Sequence, residues 1–177
     1  MTPEDRVRAG GVVLVFDAPN VPVKRLFALA TAAREHGNAL RLVVPVTAHT
    51  EKITHIQRNR GASYDATHVR LAFADTGVEV LPLDVETAGS IAARLYDWFP
   101  TAEAWQDAKW RRLHGDVPWS PNHHPPATID WYTAAMCPPG GIVVTDDIRG
   151  EFRGCEVIRS GDLERVLREL STGSGSL

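Results

Sequence analysis

The chain has 177 residues, of which 44% are hydrophobic and 23% are charged. This composition is that of an ordinary globular protein, and the length suffices for one domain with a sizeable core. No apolar run approaches the roughly 20 residues that a membrane-spanning helix needs. The amino terminus lacks the apolar segment of a signal peptide, so we expect a cytoplasmic protein. The net charge of −3 does not mark a nucleic-acid binder, although a local basic patch could still bind one.

The chain has only two cysteines, Cys137 and Cys155. They lack the paired spacing of a zinc site, and two cysteines do not make a disulfide framework. Cys137 is therefore expected to be a small buried hydrophobic residue.

Apolar runs of strand length alternate with helical repeats along the chain. The predicted elements of the first half are a flexible leader (1–11), a buried strand (12–16), a helix (about 22–36), a strand (40–44) and a helix (about 46–59). Those of the second half are a strand (78–83), a helix (85–99), a helix (about 129–137), two strands (142–145 and 155–158), a helix (161–170) and a flexible tail (171–177). This alternation predicts a single α/β domain over 12–170, with a three-layer α/β/α architecture and a mainly parallel sheet.

Four acidic residues stand at the ends of predicted strands or in predicted helices. They are Asp17, Glu51, Asp130 and Asp147. Residues at the carboxyl ends of parallel strands converge on one edge of the sheet, and carboxylates there suit Mg²⁺ or Mn²⁺. Any one of them alone could instead cap a helix or lie on the surface.

The order and context of these acids resemble the PIN-domain ribonucleases, especially the VapC-type toxins of toxin–antitoxin pairs. The matching motifs are Val-Leu-Val-Phe-Asp17, Val-Pro-Val-Thr-Ala-His-Thr-Glu51, the strand and helix over 78–88, Asp130-Trp-Tyr-Thr-Ala-Ala, and Thr145-Asp146-Asp147. The resemblance spans residues 12 to about 168 and implies a PIN-like fold.

The resemblance also implies a function, an endoribonuclease that uses Mg²⁺ or Mn²⁺ to hydrolyse RNA. It assigns catalysis to Asp17, Glu51, Asp130 and Asp147, and metal binding to the three aspartates of that set. Asn20, Thr145 and Asp146 are expected to orient the ligands or water. The implied partners are an RNA substrate, a cognate antitoxin and a second copy of the chain in a homodimer.

The chain departs from the family pattern at three places. Ala18-Pro19 separates Asp17 from Asn20, where the family has a compact Asp-x-Asn. Either Asp146 or Asp147 could be the last acidic residue of the family motif, and the Thr-x-Asp spacing favours Asp147. Residues 100–128, with three Trp and five Pro, look like an insertion in which the prolines limit regular structure.

Basic residues within the insertion are candidates for contact with RNA. Lys109, Arg111 and Arg112 surround Trp110, and such a mixture of charge and aromatic surface is typical of single-strand binding. The alternative is a surface helix with its tryptophans turned inward.

Two other functions compete with the ribonuclease. A haloacid-dehalogenase-like phosphatase needs a second Asp two residues after its nucleophile, and Pro19 occupies that position. A PIN-like module that binds RNA or protein without catalysis stays open.

Overall fold

The structure is a computed structural model, and it describes residues 1–35, 40–61, 67, 73–118, 120, 130–147, 152 and 154–173. Within these ranges some side chains also lie outside the description, among them those of Trp105, Lys109, Arg112, Asp130 and Trp131. Trp119 lies outside the described ranges altogether.

Seven helices and five strands have both of their ends within the described ranges, and residues 67 and 73–75 are helical as well. The helices are α1 (Pro3–Ala9), α2 (Val23–Glu35), α3 (Val46–Arg60), α4 (Val85–Trp98), α5 (Ala102–His114), α6 (Asp130–Met136) and α7 (Ser160–Gly173). The strands are β1 (Val13–Phe16), β2 (Arg41–Pro45), β3 (Glu79–Leu81), β4 (Ile142–Val144) and β5 (Glu156–Ile158), and a 3-10 turn (Ala18–Asn20) follows β1.

The five strands form one sheet in which every pairing is parallel. Their order is β3-β2-β1-β4-β5, so that β1 lies at the centre. Val15 of β1 aligns with Val43 of β2 on one side and with Val143 of β4 on the other. The predicted α/β class, with a parallel sheet between two helical layers, is confirmed. No helix in the described ranges combines the length and the apolar character needed to cross a membrane.

Hydrophobic side chains cover both faces of the sheet. Leu14 and Phe16 of β1 point into a core that they share with Leu26 of α2 and Leu163 of α7. The intervening Val15 points to the opposite face, where the next core includes Ala134 and Cys137. A strand buried on both faces reads as an uninterrupted apolar run, which is why the sequence of β1 shows no polar alternation.

The amino-terminal segment differs from the expected flexible leader because it contains helix α1. Thr2 and Asp5 form a capping box, in which the Thr2 hydroxyl accepts from the Asp5 N–H and the Asp5 carboxylate accepts from the Thr2 N–H. Val7 is fully buried in the main core, and Arg8 pairs with Glu169 of α7 at 2.7 Å. The buried Val7 side chain and the ion pair of Arg8 therefore fasten this helix to the domain, although its sequence is mostly polar.

The expected insertion also contains more regular structure than its prolines suggest. Helix α5 begins after Thr101, whose hydroxyl accepts from the Ala104 N–H at 3.1 Å. It ends at Gly115, whose φ of +68° is readily adopted by glycine. The described prolines, Pro100 and Pro118, lie outside the helix and therefore do not interrupt it. At the other end of the chain, α7 continues to Gly173, beyond the boundary predicted for the tail.

Candidate functional site

The strand order defines one crevice at the carboxyl edge of the sheet. From β1 the chain continues to β2 on one side, whereas from β4 it continues to β5 on the other. The connections after these two adjacent strands therefore diverge, and such a switch point leaves a crevice where open α/β sheets bind ligands. Asp17 directly follows β1, and Thr145 directly follows β4.

Asp17 is fully buried at this switch point, with 0% of its surface exposed. Its Oδ2 accepts a hydrogen bond from the Thr145 hydroxyl at 2.7 Å and another from the Asn20 side-chain amide at 2.8 Å. The backbone N–H of Asp17 donates to the Val144 carbonyl at 3.0 Å. The carboxylate is thus fixed by both neighbouring segments, and the 3-10 turn brings Asn20 back to it despite the extra Pro19.

Thr145 connects the ends of the two strands through one buried hydroxyl group. That oxygen donates to Asp17 and at the same time accepts from the backbone N–H of Asp147 at 3.1 Å. Asp147 itself is half-buried. The Thr-x-Asp spacing therefore lets the Asp147 backbone N–H bond to the same Thr145 hydroxyl that holds the Asp17 carboxylate.

Asp146 has a different set of contacts from those of Asp147. Its carboxylate accepts from the backbone N–H of Ser160 at 3.0 Å and from the Ser160 hydroxyl at 2.7 Å. Arg25 of α2 lies 3.9 Å from the same carboxylate. Asp146 therefore secures the first residue of α7, whose leading N–H groups have no partners within the helix.

Lys52 is a site residue that sequence reasoning missed. Its ammonium group donates to the Val21 carbonyl at 2.9 Å and to the Pro19 carbonyl at 3.4 Å, and it thereby fastens the turn after Asp17 to α3. Burial lowers the pKa of Lys52, while the negative charge of Asp17 opposes that shift. A buried carboxylate is costly without a nearby cation, and Lys52 supplies that charge.

Glu51 lies on a different part of the α3 surface from Lys52. It lines an open cleft of about 480 Å³, together with Val46, Thr47, Thr50, Thr54, His55 and Arg58. His55 Nε2 is 3.9 Å from the Glu51 carboxylate. Thr47 of this face contacts the Met136 sulfur of α6 at 3.9 Å, so the cleft borders the helix that Asp130 begins.

Helix α6 begins at Asp130, whose side chain lies outside the described residues. One turn later Thr133 is fully buried, and its hydroxyl makes no hydrogen bond to any described residue. Ala134, the next residue, packs against the sheet beneath β1 and β4. Helix α6 therefore packs against the sheet through Ala134, and Asp130 is its first residue.

The expected RNA-binding residues are only partly described. Arg111 pairs with Asp107 within α5 at 2.5 Å and also donates to the Asp116 carbonyl at 3.3 Å. The side chains of Lys109 and Arg112 lie outside the description. Trp110 is half-buried and stacks on His114, with ring centroids 3.8 Å apart.

The donor chemistry at the switch point suits a hard divalent cation, because the available groups are carboxylate oxygens supported by a hydroxyl and an amide. Over the described side chains, no three His, Cys, Asp or Glu groups are clustered so that they could hold a metal ion. The Asp130 carboxylate, which the expected set requires, lies outside the described side chains.

Fold and site together define an α/β/α domain with a buried aspartate at its topological switch point. Comparison of the chain with protein-family models, with curated proteins and with solved structures finds no significant match. The geometry and the sequence motifs therefore carry the functional argument.

Proposed function

We propose that this chain is a Mg²⁺- or Mn²⁺-dependent endoribonuclease, and that it acts as the toxin of a toxin–antitoxin pair. The observation that carries the proposal is the fully buried Asp17 carboxylate at the switch point, held by Thr145 and Asn20. Its position between two diverging strand ends is where open parallel sheets bind their ligands. The resemblance to VapC-type toxins supports RNA as the substrate.

In this proposal Asp17, Asp130 and Asp147 hold the ion. When bound, a divalent ion lowers the pKa of a water molecule and stabilises negative charge on phosphate oxygens. Thr145 and Asn20 fix the orientation of the Asp17 carboxylate, so that it does not have to reorganise when substrate arrives. Glu51 lines the cleft on α3 and belongs to the same set of catalytic candidates.

The proposal extends to partners by the same resemblance. Lys109, Arg111 and Arg112 of α5 are proposed to contact RNA, with Arg111 exchanging its Asp107 partner for a phosphate. An antitoxin would bind by placing a basic side chain among the carboxylates, because a cation in such a cluster is strongly favoured. A homodimer is proposed on the resemblance alone.

The test is RNA cleavage by the purified Asp17→Asn protein in the presence of Mg²⁺. The substitution keeps the shape of the side chain but removes its charge, so we expect cleavage to fall by roughly 10²-fold or more. Asp84→Asn is a matched control, because Asp84 caps α4 with an exposed side chain and Asn is an equally good cap. The control should cleave RNA at the wild-type rate.

The competing function is a binding module without catalysis, which the same proteins distinguish. Calorimetry should show that Mg²⁺ binds the wild type and Asp84→Asn but not Asp17→Asn. If the wild type binds RNA but neither binds Mg²⁺ nor cleaves, the binding module is correct and the nuclease proposal is wrong.

A further inference from the structure

The two cysteines of the chain meet on the face of the sheet that α6 covers. Cys137 follows the last residue of α6 and is only 4% exposed, whereas Cys155 immediately precedes β5 and is half-buried. Cys137 belongs to the buried hydrophobic cluster that includes Ala134 and Phe152, and Cys155 packs against that cluster. Residues separated by 18 positions in sequence are thus neighbours in the fold, and both carry free thiols.

The two cysteines share one hydrogen-bond acceptor, the carbonyl oxygen of Ala134. The Cys155 sulfur lies 3.4 Å from this oxygen, and the backbone N–H of Cys137 donates to it at 3.2 Å. The Cys137 sulfur lies 3.7 Å from the Pro138 carbonyl oxygen, at the same end of α6. A disulfide between the two residues requires their Cβ atoms to lie about 3.8 Å apart.

The environment makes the two thiols chemically unequal. The neighbouring Cys137 thiol lowers the pKa of Cys155, and the nearby Arg94 guanidinium acts in the same direction against the effect of burial. The neighbouring Cys155 thiol and burial both raise the pKa of Cys137. Arg94 is held in place by the Ala135 carbonyl, to which it donates at 2.6 Å. The more exposed thiol is therefore also the more readily ionised one, which is the combination that a reactive cysteine requires.

We propose that Cys137 and Cys155 form a redox site that a low-molecular-weight disulfide, such as oxidised glutathione, converts into an intramolecular disulfide. The Cys155 thiolate attacks one sulfur of the small disulfide, which forms a mixed disulfide and releases one small thiolate. That thiolate takes the proton of Cys137, whose sulfur then attacks the Cys155 sulfur and expels the second small thiolate, which takes up the proton that Cys155 lost on ionisation. Two protein thiols are oxidised, and one small disulfide is reduced to two thiols.

The bond would close a covalent ring around β4 and the residues that follow it. Thr145, Asp146 and Asp147 lie inside this ring, and the end of α6 becomes tied to the start of β5. A small thiol reduces this disulfide back to the two free thiols. The redox site requires no metal, RNA or antitoxin, so it stands or fails independently of the ribonuclease.

The experiment treats the folded, full-length protein with oxidised glutathione and maps the products by peptide mass spectrometry without reduction. We expect one peptide pair linked through Cys137 and Cys155, monomeric protein on a non-reducing gel, and a Tm higher by roughly 5–10 °C. A small thiol should return both the mass and the Tm to their starting values. Two unmodified thiols, or a disulfide between two chains, would overturn the proposal.

Two variants test the order of the steps. Cys137→Ala, which keeps a small apolar side chain in the core, should stop at the mixed disulfide on Cys155. Cys155→Ser should leave Cys137 unmodified over the same period, because that thiol is buried. If glutathione accumulates on Cys155 of the wild type as it does on the Cys137→Ala protein, Cys137 does not resolve it and the proposal is wrong.

Discussion

Asp146 and Asp147 are adjacent in sequence, and the backbone N–H of each donates to a residue that holds Asp17, namely Asn20 for Asp146 and Thr145 for Asp147. The Asp146 carboxylate holds Ser160 at the start of α7, and the Asp147 N–H is held by the hydroxyl that also holds Asp17. The structure therefore gives Asp146 a structural task and leaves Asp147 as the candidate ligand. Comparing the same substitution at both positions separates stability from function.

Asp146→Ala should lower the free energy of unfolding by roughly 1–2 kcal/mol, because it removes the side-chain acceptor from the first turn of α7. Asp147→Ala keeps the Asp146 contacts with Ser160 and should reduce RNA cleavage by roughly 10²-fold or more. Urea unfolding and a cleavage assay on both proteins measure the two effects. The reverse pattern, with cleavage lost only in Asp146→Ala, would assign the ligand to Asp146.

At the residue scale, no feature of the sequence marks Lys52 as a site residue. Its neighbour Glu51 stood out because a family motif contains it, whereas a lysine in a polar helix usually extends into solvent. Only the packing of α3 against the turn after β1 turns Lys52 towards the Val21 carbonyl. Such a role depends on how two elements meet, and local sequence does not encode it.

Among the elements, α1 shows how little apolar surface can anchor a helix. Val7 carries most of its burial, and Arg6 adds an ion pair with Glu156 at β5. The capping-box residues Thr2 and Asp5 are visible in the sequence, but the polar composition around them favours a flexible leader. The mixed charge concealed a helix whose signal was its cap.

Val7→Ala should lower the free energy of unfolding by roughly 2 kcal/mol, since it removes two buried methyl groups and leaves a cavity. Val85→Ala is the matched control, because Val85 is 91% exposed. Its effect should stay within about 0.5 kcal/mol. Denaturant unfolding of the two variants measures the difference. Equal effects would show that α1 is not part of the cooperative core.

For the whole molecule, the apolar runs and helical repeats predicted which elements form, and their alternation predicted a parallel sheet. The order of the strands was beyond reach, because all-apolar strands such as β1 and β4 carry no mark of which neighbours they pair with. The switch point follows from that order. The sequence therefore predicted that Asp17 ends a strand, but not that it lies where the connections diverge.

Mg²⁺ should stabilise the entire domain if it binds at the switch point. A ligand present at 100 times its Kd contributes about 2.7 kcal/mol to the stability of the folded state. The Tm of the wild type should therefore rise by several degrees in saturating Mg²⁺, and that of Asp17→Asn should not change. Thermal unfolding is followed by circular dichroism for both proteins, once in saturating Mg²⁺ and once after treatment with a chelator. An equal rise in both proteins would place the ion elsewhere.

The hydrogen bond between Asp17 and Thr145 joins residues 128 positions apart. During translation, β1 leaves the ribosome long before β4 is synthesised, and domains form as ribosomes add roughly 5–20 residues per second. For several seconds the nascent chain thus carries Asp17 without the strand that completes its surroundings. Truncated nascent chains that end before β4 should be inert, so the timing of synthesis itself keeps the site unassembled until the polypeptide is nearly finished.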